Sequence, residues 1–170
     1  MAIVVYDIPP IAPDPAHTRY IEAGAVKLGL EYRVLDDTEL DTQYADDPES
    51  KAKIDAAKPA DLDDRGVSIH VVGCDDEHEY IRFDVFDKGP HYHYIKKGVV
   101  ENKIVDFDTV AMGDMLPWAL TQIREKLPVM LAHAGGEALA EKLDPGLLAA
   151  KVAELGELAA QARREQQAAR

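Results

Sequence analysis

Only one cysteine, Cys74, occurs among the 170 residues. That excludes an intramolecular disulfide framework and any cysteine-based zinc knuckle. Basic residues are also scarce: 19 Lys and Arg stand against 32 Asp and Glu, a formal net charge of −13. Such a balance argues against nucleic acid or an anionic membrane surface as the main partner. No apolar run approaches the roughly 18 residues that a membrane helix needs. The opening MAIVVYDIPP lacks the basic start and long apolar core of a secretory signal. No lipidation box is present. A cytoplasmic location is the expectation, in keeping with a single reduced thiol. A glycine-rich phosphate loop and a G-x-S-x-G nucleophile elbow are missing as well.

Hydrophobic residues make up 46% of the chain, enough for a packed core. The length suits one domain, here residues 1–158, with a polar helix end over 159–170 that should fray. The run Ala2 to Tyr6 reads as a buried strand closed by Pro9 and Pro10. Asp14-Pro15 has the form of a helix start, giving a helix to about Leu28. Gly24 and Gly29 weaken that reading, and a twisted strand pair is the alternative. Residues 36–65 hold eleven acids over Asp36 to Asp64 against three lysines, with two prolines. Few apolar side chains are there to offset ordering entropy, so an exposed acidic loop is expected, with one helical turn near Lys51 to Ala57.

From Gly66 onward the apolar alternation sharpens. Strands are expected at Val67–Val72, Glu79–Phe86, His91–Ile95 and Lys103–Phe107, joined by short turns into an antiparallel meander. The C-terminal part, residues 114–158, is helical. Asp114 is an N-cap, and Leu116, Leu120, Ile123, Leu127, Met130 and Leu131 form one stripe. Pro128 should kink or break that helix and Gly135-Gly136 should end it. Asp144-Pro145 starts the last one. The fold class is therefore α+β: a mostly antiparallel sheet of about four to six strands, one face packed on the C-terminal helices.

Because a one-residue slip moves every side chain to the opposite face, the alternation also constrains register. Pairing Val67 with Val85, Val85 with Tyr92 and Tyr92 with Phe107 makes one face wholly apolar or aromatic. The other face then carries Ser68, His70, Arg82, Asp84, His91, His93 and Asp106, with Asp84, His93 and Asp106 as direct neighbours. Opposed Cβ atoms lie roughly 4.5–5.5 Å apart. Its simplest meaning is a solvated polar face of a one-sided sheet. Two carboxylates beside His93 should raise its pKa, which would also suit a pH-responsive contact.

A second meaning is a divalent-metal site. His91 and His93 project from the same face and, with Asp84 or Asp106, supply a two-histidine, one-carboxylate set for Zn, Fe or Mn. The His-x-His resembles that of cupins, but a third histidine on a later strand is missing. No organic cofactor is expected. With no pocket evident, the first expectation is a non-catalytic interaction or accessory protein, with a protein partner or a second copy meeting Trp118, Leu155 and Leu158. The metal-dependent enzyme or carrier is the alternative.

Pro90-His91-Tyr92-His93-Tyr94 and Gly113-Asp114-Met115-Leu116-Pro117-Trp118 carry a further observation. Over about Gly66 to Leu143 the chain resembles an uncharacterised actinobacterial protein family. The resemblance implies a small bacterial cytosolic protein and brings no activity or catalytic residue with it.

Overall fold

The computed structural model describes residues 2–169. Seven strands form one antiparallel sheet: β1 (Ile3–Tyr6), β2 (Arg19–Ala23), β3 (Val26–Asp36), β4 (Asp63–Gly73), β5 (Glu79–Phe86), β6 (His91–Ile95) and β7 (Asn102–Asp106). Their spatial order is β1-β7-β6-β5-β4-β3-β2. The chain thus meanders from β2 to β7, and the first strand returns to pair with the last. β1 is an edge strand with Ile3 and Val5 62% and 55% exposed, not the buried strand that its composition suggests.

Residues 19–36 adopt the strand pair rather than the helix. Gly24 (φ +76°) and Ala25 form the two-residue turn between β2 and β3. Glycine at the first turn position suits the tight hairpin turns that match strand twist.

The meander packs its apolar face on α4 (Met115–His133) and α6 (Pro145–Ala168), with the short α3 (Thr109–Met112) and α5 (Glu137–Ala140) between. Asp114 and Asp144 cap α4 and α6 through bonds from Leu116 N (3.1 Å) and Leu147 N (3.0 Å). α4 runs unbroken through Pro128, with Ile123, Leu127, Met130 and Leu131 all buried on either side of it. α6 continues to Ala168: Ala159 is buried, and Arg163 reaches Asp114 at 2.9 Å, so the polar end stays helical where fraying was expected.

The acidic stretch is not an open loop. It folds as α1 (Asp37–Gln43) and α2 (Pro48–Ala57). Asp36 accepts from Glu39 N (2.8 Å) and Asp47 from Ser50 N (3.0 Å), so each acid caps a helix start. Both helices, with residues 7–18, cover the polar face of the sheet. Leu40 and Ile8 are 3% and 5% exposed there, and Arg82 Nη2 fastens the segment by donating to the Ile11 carbonyl at 2.7 Å. The sheet is therefore covered on both sides, and Ser68, His70, Arg82, Asp84 and His93 are buried rather than solvated.

A buried polar layer and its candidate metal centre

Pairing between β4 and β5 follows the alternation: Val67 faces Val85, Ser68 faces Asp84 and His70 faces Arg82. The next two hairpins are offset by two residues from the pairing that the pattern suggests. Asp84 pairs with His91 and Arg82 with His93; His91 pairs with Asp106 and His93 with Ile104. In the turn after β5, Asp64 accepts from Lys88 N (3.0 Å) and Gly89 N (2.7 Å), which anchors the β5–β6 connection to β4. A two-residue shift keeps every side chain on its face, because the pleat has period two. Tyr92 accordingly stacks on Phe83 and Trp118 on the apolar side. What changes is the neighbour list. The direct row is Glu31, Ser68, Asp84, His91 and Asp106, and His93 belongs to the next row.

Asp84 is the hub of this layer. Its Oδ1 accepts from the Ser68 hydroxyl. Its Oδ2 lies 3.0 Å from His93 Nε2 and 3.3 Å from His91 Nε2. The far nitrogens of both rings are held by acceptors: His91 Nδ1 is 2.8 Å from the Gly89 carbonyl, and His93 Nδ1 is 2.8 Å from Asn102 Oδ1. Asp84, His91 and His93 offer ligand atoms within 4.8 Å of one another. Asp106 sits at the exposed end of its row, outside this group.

Burial pushes the Asp84 carboxyl up, yet its hydrogen bonds to His91 and His93 reverse this and hold it well below the carboxylate range. For His91, burial favours the neutral ring, but Asp84 and the Gly89 carbonyl raise its pKa. For His93 burial wins and the pKa falls, even beside Asp84. The rise expected for His93, and the pH-responsive contact built on it, are thereby corrected: the ring is buried under the α1–α2 layer, with Arg82 nearby.

A second cluster adjoins the first. His70 is fully buried, with Nδ1 2.6 Å from Glu79 Oε1 and Nε2 3.1 Å from Glu31 Oε2. Arg82 donates twice to Glu79, at 2.8 and 2.7 Å. Strict alternation would aim Glu79 at the core. A β-bulge skips Tyr80 in the pairing, since Val71 faces Ile81 and Val72 faces Glu79. Tyr80 and Ile81 therefore both enter the core, and Glu79 turns to the polar side. Burial alone would raise the Glu79 pKa, but Arg82 and then His70 bring it down from 4.5 to about 2.

The sign of that shift sets an acid dependence. A carboxylate with a depressed folded-state pKa stabilises the fold above its unfolded value and loses that contribution as pH falls toward the folded one. Glu79 should contribute roughly 3 kcal/mol above pH 4.5, lost between about pH 4.5 and 2. Urea melts at stepped pH should show an acid limb that is visibly shallower in Glu79→Gln.

Above the two clusters lies a cavity of about 150 Å³. Its floor is Arg82, Asp84, His91 and His93, and its walls include Ile8, Leu40, Ile54 and Phe86. The polar face thus has the concavity that a flat interaction surface lacks. Sequence reasoning did not single out Glu31, Arg33, Glu79 or Asn102. Glu79 was hidden by the bulge, and Asn102 lies one residue before the strand start assigned from the pattern.

The residues expected to meet a partner are used internally. Leu155 is fully buried, Leu158 packs on the core, and Trp118 lies against Phe83, Tyr92 and Phe107. Cys74 lies away from the cavity, its thiol pushed up by burial and by Glu22. Among the described residues no helix is long and apolar enough to cross a membrane.

Fold and site together define an α+β protein with a seven-stranded antiparallel meander and a histidine–carboxylate cluster roofed by two short helices. The chain belongs to the DUF7700 family, a domain of unknown function whose model matches residues 20–159. No curated protein and no solved structure matches it.

Proposed function

We propose that the protein binds a divalent first-row metal ion through Asp84 Oδ2, His91 Nε2 and His93 Nε2 and uses it on a small molecule held in the overlying cavity. One observation carries this reading. Both imidazoles have Nδ1 against an acceptor, Gly89 O and Asn102 Oδ1, while both Nε2 atoms converge on one carboxylate oxygen. With Nδ1–H donated outward, a neutral ring presents a lone pair at Nε2. Once the protons shared with Asp84 leave, two such lone pairs and a carboxylate oxygen meet in one place, where a cation can replace those protons.

Metal-binding histidines characteristically donate their other N–H to a carbonyl or carboxylate, which fixes the ring. The spacing also fits. Metal bonds of about 2.0–2.1 Å in tetrahedral geometry place ligand atoms roughly 3.3 Å apart; the two oxygen–nitrogen separations here are 3.0 and 3.3 Å, and all three ligand atoms lie within 4.8 Å of one another. Two histidines and one carboxylate leave coordination positions open, the arrangement suited to Zn, Fe(II) or Mn chemistry on a substrate. The ligand set contains no sulfur, which disfavours Cu(I).

The cavity supports an enzyme over an accessory module, since catalysis needs a concave, largely apolar site with a few convergent polar groups. A non-catalytic interaction role draws no support from Trp118, Leu155 and Leu158, which the chain's own core takes up.

Elemental mass spectrometry on untagged protein purified without chelator tests the proposal. Near-stoichiometric zinc, iron or manganese is expected, lost in His93→Ala while circular dichroism is retained. Protein that carries no metal and takes up none of these ions at neutral pH would overturn it.

A further inference from the structure

The geometry points to a small carboxylic acid with an apolar body as the ligand of the cavity, its carboxylate seated on Arg33. This rests on the metal-site reading above for the ligand's chemistry, though not for its charge.

Arg33 lines the cavity from β3 and is only 8% exposed. Its sole ionic contact among the described residues is Glu31 Oε2, at 3.9 Å from Nε, beyond hydrogen-bond length. That same oxygen already lies 3.1 Å from His70, and Oε1 of Glu31 accepts from Asp14 N at 3.4 Å. Arg82, in contrast, has two bonds to Glu79 and one to a backbone carbonyl. A guanidinium offers five N–H donors in a fork that matches a carboxylate. No fully buried side-chain nitrogen or oxygen among the described residues lacks a partner, so the Arg33 donors without a protein partner are reachable from solvent, and Arg33 is the cation lining this cavity whose donors are free for a ligand.

The other charges in the cavity are engaged. Lys58 pairs with Asp37 at 2.5 Å, Arg82 with Glu79, and Asp84 with the two histidines. An incoming anion therefore meets one uncommitted positive group. Much of the remaining lining is apolar: Ile8, Leu35, Leu40, Ile54, Phe86 and Ile104. The volume, about 150 Å³, is of the size that accommodates a benzene ring. β3 and β5 are two strand spacings apart, roughly 10 Å between backbones. Arg33 and the ligand cluster line the same cavity, so a ligand with its carboxylate on Arg33 can extend its body toward Asp84, His91 and His93.

The test compares sodium benzoate with benzamide, its neutral isostere, by titration calorimetry on the full chain, both cobalt-loaded and chelator-treated. Benzoate is expected to bind at least about tenfold more tightly, the worth of one charge-assisted bond pair. Arg33→Met should remove that preference and leave benzamide unchanged, and Arg33→Lys should restore part of it. Equal affinity for the two probes, no binding of benzoate, or a preference untouched by Arg33→Met overturns the inference. Should Arg33→Met fail to fold, the wild-type preference decides alone. Cobalt uptake without a benzoate preference sinks the anion seat and spares the metal site. A benzoate preference without cobalt uptake does the reverse.

Discussion

Arg82→Met should destabilise the fold by about 3–5 kcal/mol, the cost of removing one partner from a buried ion pair. The guanidinium is 2% exposed and holds Glu79 at 2.8 and 2.7 Å and the Ile11 carbonyl at 2.7 Å. Methionine fills similar space but leaves Glu79 charged and short of donors beside His70. It also releases the segment that roofs the cavity. In a chain of this size each kcal/mol moves the melting temperature by roughly 2–4 °C, so calorimetry should register a large drop. Arg82→Met combined with Glu79→Met should be less damaging than the sum of the single changes, by about 1–3 kcal/mol, because the two side chains act as one unit. A strictly additive double variant would show that Glu79 is held by His70 alone.

Asp84→Asn separates the hub's structural part from its ligand part. Asparagine keeps the shape and the contact with the Ser68 hydroxyl, and it removes the charge on which His91 and His93 converge. Removing a group that holds a metal's ligand in place costs roughly 10–100-fold in affinity. Loss of the only carboxylate in the ligand group should exceed that, read by competition of zinc or cobalt against a chromophoric chelator. Asn102→Ala, which frees only His93 Nδ1, should fall within the smaller range. An Asp84→Asn variant that binds metal as the parent does would remove Asp84 from the ligand set.

Much of this layer is legible in the sequence. Alternation in GVSIHVV and EYIRFDVF assigns each side chain of β4 and β5 to a face, and period two protects that assignment against a two-residue error in register. The same property made the neighbour list fallible. Local alternation puts His93 between Asp84 and Asp106, because nothing local fixes the two-residue offset of β6, whose preceding turn is held by Asp64 from a distant strand. The sequence shows no sign of α1 and only one turn of α2, near Lys51 to Ala57, for a different reason. Composition argued for an exposed loop, whereas the capping acids Asp36 and Asp47 decide the local structure. Asp-Pro occurs at Asp14, Asp47 and Asp144. It opens helices at the last two and only a turn at the first, where β-forming residues follow. Burial of the polar face could not be read from the strands themselves, since the groups that bury it come from residues 7–18 and from those two helices.

The three candidate ligands, Asp84, His91 and His93, come from adjacent strands of one hairpin. Little chain entropy separates them, because closing so short a loop is inexpensive compared with joining distant segments. An ion held there would accordingly retain some affinity for the unfolded chain, whose hairpin can collapse around it. Ligand-linked stabilisation depends on the difference in affinity between folded and unfolded states. Metal added in excess should therefore raise the melting temperature by less than its affinity for the native protein implies, with the ion present while the chain is still being organised.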